Sequence, residues 1–194
     1  MGRKSKRIKS NPSIGIFCEG ESEKRYFTML KQKYRSTNIQ IKIFAADLSG
    51  KRLVEKAIST NNYKKQFDQI YVVFDRDEHS RQELYECKKL AKKNKINIIF
   101  SSIDFEIWIL MHFEPVFRSY TREELVKRLS GKDYFNQDYR RFKGNSYRNY
   151  IFDNVQDAVD NANSLYDKKS DWINDDPFTN VQIYLPKIFN RDNF

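Results

Sequence analysis

Two stretches of the chain place carboxylates directly after apolar runs. In "IGIFCEGESEKRYF", beginning at Ile14, Glu19, Glu21 and Glu23 follow a short β-branched run. In "IYVVFDRDEH", Ile70 to His79, five apolar residues stop at Asp75-Arg76-Asp77-Glu78. Ligands of open parallel sheets bind beyond the carboxyl ends of the strands, so neighbouring strands would bring Glu19 and Asp75 together there. Asp75 and Asp77 are two apart, and extended backbone turns both to one side. Carboxylates gathered at one edge repel one another, and a hard divalent ion with oxygen ligands removes that cost. Mg²⁺ or Mn²⁺ at such a place binds a phosphodiester and activates water. Acidic residues after strands also serve as ordinary turn and helix-cap residues, and both readings stand at this level.

Other residues fall around this cluster. Glu106 lies in "DFEIWILMHF", too apolar a stretch to hold a free charge cheaply, so it needs a metal, Arg or Lys partner. His112, six residues on, points away from Glu106 and reads as a core or interface histidine. His79, two residues after Asp77, reaches a phosphate or water, or faces solvent at a helix start. Arg76 between the aspartates is expected to point away from them into a structural salt bridge. Arg140, Arg141, Lys143 and Arg148 interleave with Tyr139, Phe142, Tyr147 and Tyr150. Such interleaving suits a surface where charge holds phosphate and rings stack on bases, or an acidic protein partner. Lys143 is the candidate for stabilising developing phosphate charge.

The elements that must position these residues alternate through the first half. Strands are expected at Ser13–Cys18, Ile39–Phe44, Gln69–Phe74 and from Ile96. Between them come a helix capped by Ser22 and running to about Tyr34, one after Ser49-Gly50 carrying Leu53, Ala57 and Ile58, and one begun by the Ser80/Glu83 capping box. This βαβαβαβ order calls for an α/β fold with a mostly parallel sheet covered by helices. The second half is helical: a buried helix in Phe105–Phe113, then Thr121–Leu129 and Asp153–Tyr166. The start-like pair Thr179/Gln182 opens a last helix that Pro186 should kink or shorten. The polar, aromatic and basic stretch between them, without a period, reads as a long loop. The expected division is a basic arm at 1–10, an α/β core at 11–103 and a helical portion at 104–194 packed upon it.

The chain has 194 residues, with 36 Lys and Arg against 26 Asp and Glu. The net charge of +10 favours a polyanionic partner, nucleic acid first. The five basic residues of the arm either touch phosphates or form a solvated tail. Cys18 and Cys87 suggest neither a disulfide framework nor a zinc site, and two histidines cannot build a histidine-rich one. No membrane span or signal peptide is expected, which implies the cytoplasm.

"CEGESEKRYF", "VVFDRDEH" and "FEIWILMHF", in this order, resemble the RloB family of proteins associated with phage-resistance and restriction-type loci. The resemblance implies a Toprim-like domain, in which Glu19 corresponds to the Toprim glutamate and Asp75 and Asp77 to the Asp-x-Asp pair. Glu23 corresponds to the second glutamate of an E-G-x-x-E pattern in the nuclease branch. Phe105–Phe113 is similar to the family's F-E-x-W-x-x-x-H-F segment, although this chain has Ile103-Asp104 where relatives often have Asn-Pro. "DDPFTNVQIYLPKIF" echoes the family's C-terminal segment only loosely. By resemblance, the chain is expected to be a Mg²⁺- or Mn²⁺-dependent nuclease in antiphage defence, acting on DNA or RNA. Glu19, Asp75 and Asp77 would hold one or two ions, with Glu23 and Glu106 as further ligands; Glu19 is alternatively an acid/base group. The alternatives are a non-catalytic nucleic-acid or signal-binding subunit of a defence complex, and a primase-type nucleotidyl transferase. Another defence-system protein is a second expected partner.

Overall fold

The computed structural model describes residues 11–35, 38–64, 67–76 and 79–194. The basic arm and Asp77 therefore lie outside the described residues. Five strands form one sheet in the order β2-β1-β3-β4-β5. They are β1 (Ser13–Cys18), β2 (Gln40–Ala45), β3 (Gln69–Asp75), β4 (Ile96–Ser102) and β5 (Phe178–Thr179). The first four run parallel, and β5 returns antiparallel along β4. Helices α1 (Glu21–Tyr34), α2 (Gly50–Lys64) and α3 (Arg81–Lys93) make the crossovers. The remaining helices are α4 (Glu106–Leu110), α5 (Arg122–Leu129), α6 (Tyr139–Phe142), α7 (Arg148–Ile151), α8 (Val155–Tyr166) and α9 (Val181–Phe189). This is the expected α/β fold, a mostly parallel sheet flanked by helices, and it is consistent with Toprim-like architecture.

The period of two along each strand divides the core. Ile14, Ile16, Cys18, Tyr71, Val73 and Ile99 face α1 and the helices after β4. Phe17, Ile70, Val72, Phe74, Ile98 and Phe100 face α2 and α3. Both faces of the central strands are covered, so they read as continuous apolar runs. Residues Phe105 to His112 are all buried, because α4 and its following turn sit between the sheet and the C-terminal helices. Among the described residues, no helix is long and apolar enough to cross a membrane.

Local chemistry explains several boundaries and corrects others. Ser80 and Glu83 cap α3 reciprocally, and Thr121 and Glu124 do the same for α5, as their spacing predicts. Helix α1 starts earlier than a Ser22 cap would allow. Gly20 is its N-cap, Glu23 Oε2 accepts from the Gly20 N–H at 3.1 Å, and Ser22 is buried in the first turn. Helix α8 starts after Asn154 instead of Asp153, and Thr179 belongs to β5, with Asn180 leading into α9. Pro186 stays inside α9, which ends three residues later at Phe189. The stretch read as a loop contains α6 and α7, wound around buried Phe135, Tyr139, Phe142, Tyr147 and Ile151.

Asn180 ties the C-terminal portion to the sheet. Its Oδ1 accepts from Phe100 N–H at 2.7 Å and its Nδ2 donates to Ile98 C=O at 3.1 Å. The amide thus satisfies the free edge of β4 where β5 has ended. Asn180→Ala would strand that buried donor and acceptor, at a cost of roughly 1–3 kcal/mol. Urea denaturation is expected to show a lowered midpoint with unchanged slope; an unchanged midpoint would refute this role.

Candidate active site at the carboxyl edge of the sheet

Strand β1 lies between β2 and β3, so the chain crosses to one side after β1 and to the other after β2. The β1/β3 boundary is the topological switch point, where crossovers diverge and leave a crevice. Glu19 immediately follows β1, and Asp75 ends β3. The Glu19 N–H donates to Val73 C=O at 2.9 Å, and the Glu19 C=O accepts from Asp47 N–H at 2.9 Å. The backbone of Glu19 is thereby fixed from both neighbouring strand ends.

Its side chain is held as well. Ser49 Oγ donates to Glu19 Oε2 at 2.8 Å and lies 2.8 Å from His79 Nε2. The single hydroxyl proton points at the carboxylate, so His79 must carry its hydrogen on Nε2 and donate to Ser49. Gly50 permits this packing: its φ is +52°, and a Cβ there would lie 2.7 Å from His79 Cε1. The expectation for His79 left a phosphate, water or bulk solvent open; in the structure its partner is Ser49. Ser49 itself gave no sequence signal beyond standing at a helix start.

Asp75, Glu23, Glu106 and Asp104 complete an acidic group. Desolvation, followed by Glu19, Asp104, Glu23 and Glu106, raises the Asp75 carboxyl well above the carboxylate range. Glu23 is buried on the first turn of α1 and is pushed up to about 7, by desolvation first and by Glu106 and Glu19 as charged neighbours. Glu106 opens α4 with 1 % of its surface exposed. Its Oε1 lies 3.1 Å from Lys143 Nζ and accepts from Tyr139 OH at 3.3 Å. Its Oε2 is buried without a hydrogen-bond partner. Asp104 is buried and accepts from Arg122 Nε at 2.9 Å. Asp104 comes two residues after the end of β4, so a search for carboxylates just past strand ends, the pattern that singled out Glu19, could have found it.

Lys143 sits just beyond the end of α6, half-exposed at the rim. Burial works against its charge, but Glu106, then Asp104 and Asp75, hold it above the ordinary lysine range. Tyr139 OH is also 3.2 Å from Tyr147 OH, so a phenol pair stands behind the Glu106–Lys143 contact. The expected partner of Glu106 is thus supplied by a lysine 37 positions later.

Sequence expectations elsewhere divide. Arg76 turns away from Asp75: it donates to Ser102 Oγ and to the carbonyls of Trp172, Ile173 and Asp175. Those carbonyls and the hydroxyl take the place of the expected salt bridge among the described residues. His112 is a core residue, between Tyr26 OH (3.1 Å) and Trp108 C=O (3.0 Å), and burial lowers its pKa to about 4. Tyr139, Phe142 and Tyr147 are buried and cannot stack on bases. Arg140 and Arg148 remain exposed, and Arg141 pairs with Asp138 at 3.3 Å. Glu21 points to Lys24 and Arg25 on its own helix. Among the described residues, no three His, Cys, Asp or Glu side chains stand close enough to hold a metal ion. Asp77 is outside that set.

Neither the curated proteins nor the solved structures contain a match to the chain. A family model described as RloB-like protein matches residues 14–188, a span that includes Glu19, Glu23, Asp75, Glu106 and Lys143. With nearly all of its 194 residues matched, the chain belongs to the RloB-like family.

Proposed function

We propose that this chain is a metal-dependent nuclease that hydrolyses phosphodiester bonds of DNA or RNA, in a cytoplasmic antiphage defence role. The observation that carries this reading is the position of Glu19 and Asp75 across the switch point, with Glu23 and Glu106 behind them and Lys143 at the rim. The donor set is all carboxylate oxygen, which suits Mg²⁺ or Mn²⁺. The raised Asp75 and Glu23 carboxyls and the unpartnered Glu106 Oε2 are costs that a bound cation offsets. Glu19, Glu23 and Asp75, with Asp77 beyond the described residues and Glu106 as a further one, are the proposed ligands; no three of the described side chains already converge on one point, so binding would draw them together around the ion. Bound there, the ion supplies positive charge against the phosphodiester and a water of lowered pKa. Lys143 presents its ammonium where phosphate charge develops. The Ser49 hydroxyl keeps Glu19 Oε2 in one orientation, which limits reorganisation during reaction.

A second reading is a nucleic-acid or signal-binding subunit without catalysis. The Lys143–Glu106 contact favours it, because an internal ammonium already neutralises one carboxylate without a metal. Incubation with single- and double-stranded DNA and RNA, with Mg²⁺, Mn²⁺ or a chelator, separates the two. Metal-dependent cleavage is expected; tight binding with no cleavage of any substrate would establish the second reading instead.

Asp75→Asn removes charge while keeping volume. It is expected to abolish cleavage, to weaken Mn²⁺ binding at least tenfold by calorimetry, and to raise metal-free stability, because it removes a desolvated carboxyl crowded by other carboxylates. Equal Mn²⁺ affinity in wild type and variant would remove Asp75 from the ligand set.

Glu23 gives a pH signature. Its folded carboxyl titrates near 7 against an ordinary 4.5, so folding favours the protonated form. Its stabilising effect is complete below about pH 4.5 and is lost as pH rises through 7. The change amounts to about 3 kcal/mol across that window. Glu23→Gln retains an acceptor for Gly20 N–H but does not titrate, so the stability difference between variant and wild type should grow from pH 4.5 to 7 without metal. A difference that stays constant with pH would show that Glu23 is not desolvated as described.

A further inference from the structure

Helix α1 holds Glu23 at its first turn and a different cluster at its last. Its 14 residues span about 21 Å. The segment from Lys143 to Phe152 lies along it. Gly144 packs against Glu21, where an added Cβ would stand 3.9 Å from Glu21 Cβ. At the other end Lys33 Nζ donates to Phe152 C=O. Lys143 at the acidic site and Arg148 further on are therefore stations of one path running beside α1.

At the far end three cations meet three rings. Lys33 Nζ is 4.9 Å from the Phe152 ring centroid and 5.3 Å from that of Tyr34. Arg148 Cζ is 4.8 Å from Phe152. Arg191 Cζ is 4.3 Å from Tyr34 and 5.9 Å from Phe194. Among the described residues none of these cations forms an ion pair with a carboxylate. Asp153 favours the charged form of Lys33, and Arg191 opposes it. Desolvation outweighs the pull of Asp153, and Lys33 is held below the ordinary lysine range. Tyr34 OH is buried there with no hydrogen-bond partner.

Cation–π contacts with Tyr34, Phe152 and Phe194 stand where carboxylate partners would otherwise be expected. The rings hold the guanidinium groups in place: Arg148 and Arg191 are exposed, each with its guanidinium carbon over an aromatic ring. The outer face of a guanidinium plane accepts a stacked base, and its N–H groups reach phosphate.

We propose that Lys143, Arg148, Lys33 and Arg191 form a track for a single-stranded nucleic acid, leading its phosphate backbone along α1 to the carboxylate edge. Stacking and phosphate contacts carry no base-edge code, so the recognition proposed is sequence-independent. The direction of the track rests on the nuclease reading; the binding surface does not.

The test is fluorescence anisotropy with labelled single strands and duplexes of DNA and RNA, in chelator, across a salt series. Arg148→Gln/Arg191→Gln is compared with Arg140→Gln/Arg141→Gln, which removes the same charge from outside the track. The track variant is expected to bind a single strand at least tenfold more weakly. Its salt slope should be lower by about 1.4, because each single-strand phosphate that a cation neutralises adds about 0.7 to the slope. The comparison variant should stay near wild type. Superimposable salt curves for wild type and track variant, equal losses in both variants, or tighter binding of duplex than of single strand would each overturn the proposal. Should the track variant melt early, photo-crosslinking of a 4-thiouridine strand to wild type decides: crosslinks at Tyr34 or Phe152 support the track, and crosslinks only elsewhere overturn it. A protein that binds through the track yet cleaves nothing sinks the nuclease reading alone, whereas cleavage with superimposable salt curves sinks the track alone.

Discussion

Carboxylates crowded at the end of a parallel sheet cannot all be ionised cheaply, and much of this structure answers that repulsion. Glu19 and Asp75 are brought together by strand order alone, because β1 and β3 are neighbours with a diverging crossover between them. Glu23 must then lie close behind, since its side chain closes the first turn of α1 by accepting from Gly20 N–H. Local backbone chemistry thus adds a third carboxylate to a place already carrying two. The fold relieves the crowding in three ways. Asp75 and Glu23 are held in favour of their protonated forms, Lys143 contacts Glu106, and Arg122 contacts Asp104.

The second and third of these explain why the chain after β4 is necessary to the edge. Arg122 begins α5, and Lys143 follows α6. Neither could reach the edge without α4 buried beneath them as a wedge. The rings Phe135, Tyr139, Phe142 and Tyr147 pack together around α6, whose end carries Lys143 to Glu106. On the other side of β4, Arg76 binds three carbonyls of the 172–175 stretch, and Asn180 completes the edge of the strand. Both arrangements bring the end of the chain back onto the sheet. The C-terminal portion is therefore continuous with the core that holds the site, and the rings Phe135, Tyr139, Phe142 and Tyr147 are interior packing.

Such packing is where the sequence stops being legible. Strands were legible because five apolar residues in a row, such as Ile70–Phe74, fit a sheet covered on both faces. Capping boxes at Ser80 and Thr121 were legible because the box is a local geometry fixed by side-chain length. Gly20 was missed as the α1 cap because a glycine cap has no side chain, and the signal lay instead in Glu23 at the third position. Helices of four residues, α6 and α7, have no period to detect, so buried rings among arginines looked like a binding surface. Glu106 could be recognised as needing a partner, but identifying Lys143 required the folding of an intervening lobe. Ser49 and His79 meet only because Gly50 leaves room for the imidazole, a contact between loops that no spacing encodes.

The charge distribution poses a problem that ties the site to the basic surface. A chain of net charge +10 attracts polyanions from a distance, yet its sheet edge is acidic. Two unit charges of like sign 4 Å apart repel by about 4 kcal/mol near a protein surface. A phosphodiester approaching Glu19 and Asp75 would meet several such interactions, and Lys143 alone, already engaged with Glu106, does not cancel them. Exposed cations remote from the edge can hold a strand without resolving that conflict, because their field is screened within about 8–10 Å. An anionic backbone and an anionic edge can therefore meet closely only with additional positive charge between them. Under the nuclease reading a divalent ion meets that requirement, and the same ion would draw the protons from Asp75 and Glu23. Under the binding reading the strand stays on the basic surface and the protonated carboxyls remain buried behind Lys143. Both readings share the surface, and they differ in whether the carboxylates gain a cation.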